Sequence, residues 1–176
     1  MSAAHSHEWH IRLARAADAP HLPAIERAAG TMFARIDGLH DLPSHPALPV
    51  ETLARYIARG HSLVACQLDR VVGFLVSEPF GRELHVREVD VHPDAQGKGI
   101  GAALLRGCMI DAGNSGFDAL TLTTFADVPW NAPFYRRIGF VDIAPADHAR
   151  LAGELEKEEA QGMPPGSRVA MIRHFA

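Results

Sequence analysis

Only two of the 176 residues are cysteine, Cys66 and Cys108. Two thiols cannot build the disulfide framework of a small secreted domain. Cys66 falls in a predicted strand and Cys108 on the apolar face of a predicted helix. Both therefore read as buried free thiols, as expected of a chain in a reducing cytoplasm. Long apolar runs are also lacking: none approaches the roughly 18 residues a membrane span needs. Met1 to His10 holds no apolar stretch of the kind that marks a signal peptide, so no membrane partner and a cytoplasmic location are expected. Positive charge is in deficit, with 17 Lys and Arg against 21 Asp and Glu, a formal net charge of −4. The basic residues form no runs, so a nucleic-acid partner is not expected. There is no internal repeat and no linker composition. Residues 1–176 read as one domain with a tail over residues 1–8. His5, His7 and His10 fit that tail better than a metal tract, and no metal is expected.

What the chain does have is a soluble composition, 47% hydrophobic and 22% charged, at a length that can bury a core. Its most informative stretch runs from Glu88 to Arg106. Val89 and Val91 alternate with Glu88, Asp90 and His92, the period of a strand. Pro93 cannot donate to a sheet ladder and should end it. Gly97, Gly99 and Gly101 form a glycine-rich turn. From Ile100 on, apolar or small residues at 100, 103, 104, 107 and 108 trace one face of a helix. The amides from Gly97 to Ala102 then sit at a helix N-terminus, without helical partners and at the positive end of the dipole. Such a site binds phosphate.

Three phosphate-binding patterns can be compared. A Walker loop needs Ser or Thr after Lys98, where Gly99 stands. A dinucleotide fingerprint needs Gly-x-Gly-x-x-Gly directly after the first strand of a βαβ unit, and here the spacing is Gly-x-Gly-x-Gly past the middle of the chain. The third pattern, Gln/Arg-x-x-Gly-x-Gly/Ala after a strand ending in Val-x-Pro, is met by Gln96, Gly99 and Gly101. With the Val-x-Val-His-Pro lead-in and Asn131-Ala-Pro-Phe-Tyr-Arg-Arg-Ile-Gly-Phe140 downstream, the chain resembles the GNAT superfamily of acyl-CoA N-acyltransferases over roughly residues 10 to 142.

The rest of the chain reads in order as follows. A strand is predicted over Trp9 to Ala14, then a helix from about Ala19 to Ala29 with Asp18 as its N-cap. An irregular segment, 31 to 49, carries Gly38, Pro43, Pro46, His40 and His45; the resemblance makes it a wall of the acceptor site. A helix follows over Val50 to Ala58. Ser62–Leu68 and Val71–Ser77 read as a hairpin turning at Asp69-Arg70, with Pro79, Phe80 and Gly81 breaking the next connection. Then come the strand Arg82–Val91, the helix from about Gly99 to Ala112, a strand at Ala119–Thr124, a short helix from Asn131 to Ile138 and a strand from Phe140. An acidic helix lies within 145–161, with Glu154, Glu156, Glu158 and Glu159 read as a solvated face. A last strand runs over Arg168–Arg173. The expected fold is α/β (α+β), a GNAT-like mixed, mostly antiparallel sheet of about 6–7 strands with helices on both faces.

The resemblance implies an N-acetyltransferase that moves an acetyl group from acetyl-CoA directly to a primary amine. The amides of Gly97, Lys98, Gly99, Ile100, Gly101 and Ala102 would hold the pyrophosphate, and Gln96, the first residue of the motif, counts among the cofactor-binding residues. The strand backbone at Val89, Asp90 and Val91 would pair with the pantetheine arm. Tyr135 falls on the family's tyrosine, the general acid beside the sulfur; its structural alternative is a core aromatic beside Phe134. Glu88 is the first choice for a base, with His85 and Asp90 as rivals. Many members carry an Asn seven residues before that tyrosine. Val128 stands there, and Asn131, four residues before Tyr135, either takes over the pantetheine contact or only caps a helix. The acceptor is read as a small-molecule amine or a peptide amine. A non-catalytic acyl-CoA sensor is the rival from another class. Family members are often dimers, but nothing in the sequence locates an interface.

Overall fold

In the computed structural model, residues 8–42 and 46–175 are described. The tail read over residues 1–8 lies outside these, apart from Glu8. Seven strands form one sheet: β1 (Trp9–Leu13), β2 (Leu63–Gln67), β3 (Arg70–Phe80), β4 (Glu83–Val91), β5 (Ala119–Phe125), β6 (Val141–Ile143) and β7 (Arg168–His174). Their spatial order is β1-β2-β3-β4-β5-β7-β6. Every neighbouring pair is antiparallel except β4 and β5. This is the mixed, mostly antiparallel sheet the sequence predicts.

Helices cover both faces. Helices α1 (Leu22–Gly30) and α2 (Val50–Ala58) pack on one, burying Leu22, Ile25, Leu53 and Ile57 against Val64, Cys66, Phe74 and Val76. On the other, α3 (Ile100–Asn114) buries Ile100, Leu104, Leu105, Cys108 and Ala112 against Leu63, Ala65, Leu75, Leu84, Leu120 and Met171. Consecutive residues of β2 thus serve opposite cores, as the two-residue side-chain period of a strand requires. Both cysteines are buried and unpaired, one in each core. Helices α4 (Ala132–Arg137) and α5 (Ala149–Ala160) complete the fold.

Four local expectations need correction. Asp18 is not an α-helix N-cap. It lies in a 3-10 segment, Ala16–His21, where it accepts hydrogen bonds from the Arg15 amide (2.7 Å) and the Arg12 guanidinium (2.8 and 2.9 Å). The first hairpin turns one residue early, at Leu68-Asp69, with Leu68 at φ +54°. Pro79 and Phe80 do not break β3, which continues through them to a turn at Gly81, φ +59°. The face of α5 is not wholly solvated. Leu151 is buried, and Glu154 and Glu158, three and seven residues on, lie on the same side against the sheet. Glu154 pairs with Arg87 (2.7 Å) and Glu158 with Arg168 (2.8 Å), while Glu156 and Glu159 are exposed. Apolar counting misses such a face because its inward residues are charged and paired on arrival.

Two features shape the centre of the sheet. The parallel pairing of β4 with β5 covers only Glu83–His85 against Ala119–Thr121. Beyond it the strands part, and the backbone of β4 from Val86 to Val91 has no strand partner on that side. A bulge in β4 shifts the register: Ser77 pairs with Val86 but Val76 pairs with Glu88, leaving Arg87 as the extra residue. Leu84 and Val86 before it, and Val89 and Val91 after it, all pack toward α3. Glu88 and Asp90 consequently turn to the other face, beside α1.

Candidate active site

A cavity of about 960 Å3 opens where β4 and β5 part. It is lined by Val86–Val91 and Leu122–Phe125, by the turn from Ala95 to Ala102, by the start of α4, and by residues of α1, the segment after it and α5.

The glycine turn is built as the sequence suggests. Gly97 and Gly99 take φ +75° and +79°, a left-handed region costly for other residues. Gly99 caps α3, and the first hydrogen bond reaching back to it comes from the Ala103 amide to its carbonyl (3.0 Å). The amides of Ile100, Gly101 and Ala102 therefore stand outside the helical ladder. The Ile100 side chain is core, 2% exposed, so only its backbone can serve a ligand. Gly101 has ordinary φ, and a Cβ there would meet Phe134 Cζ at an unstrained 3.8 Å. The Gln96 side chain is engaged within the protein, donating to the Val91 carbonyl (3.0 Å) and lying 3.1 Å from Met32 Sδ. It ties the turn to the end of β4 and to the segment after α1. Lys98 and Arg106 are exposed and do not line the cavity.

Tyr135 lines the cavity from α4, its ring edge-on to Phe134 (5.3 Å) and Phe140 (5.7 Å). Burial, and then the nearby Glu88 and Asp90, raise its pKa well above the ordinary phenol value, so the proton stays on at neutral pH. Asn131 donates to Thr124 Oγ1 (2.8 Å), and its Oδ1 is buried without a partner. It makes no side-chain cap bond to α4. The helix-cap reading therefore fails in its side-chain form. Val128, at the position where many family members have Asn, is 3% exposed in a small core with Leu39 and Phe125.

Glu88 and Asp90 lie against each other on the cavity wall and are hydrogen-bonded. Burial, reinforced by Glu26, moves Glu88 up to about 7. Burial and the Glu88 charge raise Asp90 well above the usual carboxylate range. The pair therefore holds a proton more tightly than two exposed carboxyls would, with Asp90 as its holder. Asp90 Oδ2 is buried without a partner. Glu26, from α1, is the third carboxyl. It accepts from the Leu48 amide (2.9 Å), and burial raises its pKa.

His85 is not in the cavity. It is 2% exposed and bonded to Thr121 Oγ1 (2.9 Å), in a network where Arg150 also reaches Thr121 and Glu83 and His148 meets Glu83. Burial and neighbouring cations push its pKa well below 6.5. It is a neutral structural group and no longer a rival base. Sequence reading missed Glu26, which sits beside the core residue Ile25, and the aromatic wall of Phe33, Phe125 and Trp130. The bulge did leave a trace: apolar residues fall at even positions 84 and 86, then at odd positions 89 and 91.

Comparison with known proteins agrees with this architecture. A family model described as Acetyltransferase (GNAT) domain matches residues 58–142, from the end of α2 to the start of β6. Over these residues the chain is similar to the GNAT acetyltransferases. Among solved structures, it resembles the PaiA N-acetyltransferase of Thermoplasma acidophilum in complex with coenzyme A, with 16% identity and TM-score 0.68, covering 96% of this chain and 99% of that one. It resembles the ribosomal-protein-alanine N-acetyltransferase of Brucella melitensis at 21% identity and TM-score 0.65, over 94% and 99% of the two chains. It also matches 35% of the N-acetylglutamate synthase of Neisseria gonorrhoeae, solved with coenzyme A and N-acetyl-glutamate, at 17% identity and TM-score 0.71, with 96% of this chain covered. At these identities the likeness is one of fold.

No helix among the described residues is long and apolar enough to cross a membrane. Nor do the described residues contain a group of three or more His, Cys, Asp or Glu able to hold a metal ion.

Proposed function

We propose that this protein is an acetyl-CoA-dependent N-acetyltransferase acting on a primary amine by direct transfer. The observation that carries the proposal is the arrangement of the cavity. It brings a turn of unpaired amides, an unpaired length of β4, a proton-holding tyrosine and a carboxyl cluster onto one cavity wall.

The residues present fit the co-substrate. The backbone amides from Gly97 to Ala102 bind the pyrophosphate. The unpaired side of β4 at Val89, Asp90 and Val91 hydrogen-bonds the pantetheine arm as an added strand would. A backbone N–H there polarises the thioester carbonyl. Asn131, with its unpartnered Oδ1, turns toward an amide N–H of the same arm. Acetyl-CoA supplies the activated acyl group.

The protein's own chemistry is proton traffic. An alkylamine with a pKa on the order of 10 arrives as ammonium and must lose a proton before its nitrogen can attack. Glu88, poised near neutrality, takes that proton directly or through water. The nitrogen then attacks the thioester carbon, the C–S bond breaks, Tyr135 gives its proton to the departing sulfur, and the second proton shed by the nitrogen returns to the tyrosine oxygen. Cys66 and Cys108 line no part of the cavity, and burial pushes the Cys108 thiol up to about 12, so neither serves as an acyl carrier.

The test pairs a thermal-shift titration with acetyl-CoA, ATP and NAD with a thiol-release assay over a panel of amines. Stabilisation by acetyl-CoA alone, with multiple turnovers on an amine, is the expected result. Binding without turnover on any amine would make the protein an acyl-CoA sensor instead. A larger shift with ATP or NAD would refute the reading of the glycine turn.

A further inference from the structure

The half of the cavity beyond Glu88 has a definite chemical character. Its charged lining residues fall into two groups. Arg87 is spent on Glu78 (2.9 Å) and Glu154 (2.7 Å), and Arg168 on Glu158 (2.8 Å). The remaining cations on the lining, Arg27 and Lys157, are exposed. Glu26, Glu88 and Asp90 have no ion pair with any described residue. Among the described residues, their side chains accept from the Leu48 amide, at Glu26, and interact with each other, at Glu88 and Asp90. Asp90 Oδ2 has no hydrogen-bond partner although it is buried on the cavity wall. The uncompensated charge inside is therefore negative, and it faces the place where an acceptor nitrogen must arrive.

Another part of the cavity lining is aromatic. Phe33, from the segment after α1, packs against Phe125 (5.3 Å) and Trp130 (5.8 Å), and all three line the cavity. Trp130 is 36% exposed, so part of it remains open to a ligand. Met32, Leu42 and Met163 extend the apolar surface.

We propose that the acceptor is a small primary amine on an aromatic body, with no carboxylate on the carbon that bears the amine. This rests on the acetyl-transfer reading above and specifies its acceptor. An ammonium is attracted to the three carboxyls, and a ring finds Phe33 and Trp130. An α-amino acid of the same shape would carry its carboxylate into contact distance of Glu26, Glu88 and Asp90, with the interior arginines already occupied. The specificity thus comes from a repulsive element as well as an attractive one.

The experiment is calorimetric titration of the protein saturated with desulfo-CoA, using matched ligands: phenethylamine against phenylalanine, tryptamine against tryptophan, and 1,4-diaminobutane as a non-aromatic amine. The aromatic amines should bind at least thirtyfold more tightly than their amino acids, and more tightly than the diamine. Glu26→Gln keeps an oxygen for the Leu48 amide and should narrow the amine-to-amino-acid ratio at least fivefold. Trp130→Ala should weaken tryptamine while leaving the diamine unchanged. Retained stabilisation by acetyl-CoA will show that each variant is folded. Equal or tighter binding of the amino acids, preference for the diamine, or binding of a peptide N-terminus alone would overturn the proposal, as would the absence of binding by any ligand. Amine binding with the expected preferences but no acetylated product would uphold the acceptor assignment and refute the transferase reading separately.

Discussion

Replacing Glu88 with glutamine should make the protein more stable and less active in the same pH range. The cause of both effects is one buried carboxyl whose pKa stands at about 7 rather than 4.5. The sign follows from linkage: a carboxyl raised on folding contributes stability below its unfolded value, and loses that contribution as pH rises through its folded value. Above pH 7 the ionised Glu88 therefore costs stability, up to about 3 kcal/mol for a displacement of this size. Glutamine removes the charge but keeps a polar group to be satisfied, and Asp90 loses its present partner. A net gain of about 1–2 kcal/mol at pH 8 remains, which for a chain of this length raises Tm by about 3–6 °C. At pH 4.5 the gain should vanish, because Glu88 is protonated there already. Activity should fall by about 10²–10⁴-fold, the range for a lost general base. Differential scanning calorimetry at pH 4.5 and 8 reads the first effect, and thiol release with a saturating amine reads the second. Destabilisation at pH 8, or the same change in Tm at both pH values, would refute the reasoning.

The wild-type protein's kcat/KM should rise with pH through a half-maximum near pH 7 and level off above it, and that limb should be absent from Glu88→Gln; a flat wild-type profile between pH 5.5 and 8 would argue against the base. Tyr135→Phe should lower kcat at least tenfold while leaving acetyl-CoA affinity and Tm nearly unchanged, because the ring contacts with Phe134 and Phe140 persist; isothermal titration and initial rates separate the two. Gly99→Ala places a side chain at φ +79° and should cost about 1–2 kcal/mol in stability, with weaker acetyl-CoA binding from the displaced amides. Glu154→Ala leaves Arg87 with Glu78 alone in a partly buried site and should destabilise the fold by about 2–4 kcal/mol, read by urea denaturation.

The sequence was most legible where local chemistry decides the structure. Val89 and Val91, Pro93, the glycines at 97 and 99 and the apolar face from Ile100 place a strand, a turn and a helix with little outside help. The strand order was less legible, since the insertion of β7 between β5 and β6 depends on pairings such as Ala119 with His174 and Val141 with Ile172, far apart in the chain. Pro79 illustrates a local rule overruled: it sits in β3 opposite Leu84, and the strand continues past it. The site divided in the same way. The glycine turn and Tyr135 stood on motifs. Glu26 and Trp130 did not, because α1 meets β4, and Trp130 meets Phe33, only in three dimensions. His85 looked equivalent to Glu88 in sequence. The extra residue at Arg87 places Glu88 on the cavity wall, while His85, before the bulge, stays buried against Thr121.

The most direct test of the central claim is a crystal structure of the protein with acetyl-CoA. The account predicts the pyrophosphate on the amides of residues 97–102, the pantetheine arm along β4 at Val89–Val91 with Asn131 against it, and the sulfur within hydrogen-bonding reach of the Tyr135 hydroxyl. A cofactor seated elsewhere, or a sulfur turned away from Tyr135 with Glu88 closed off from the acyl carbon, would contradict it.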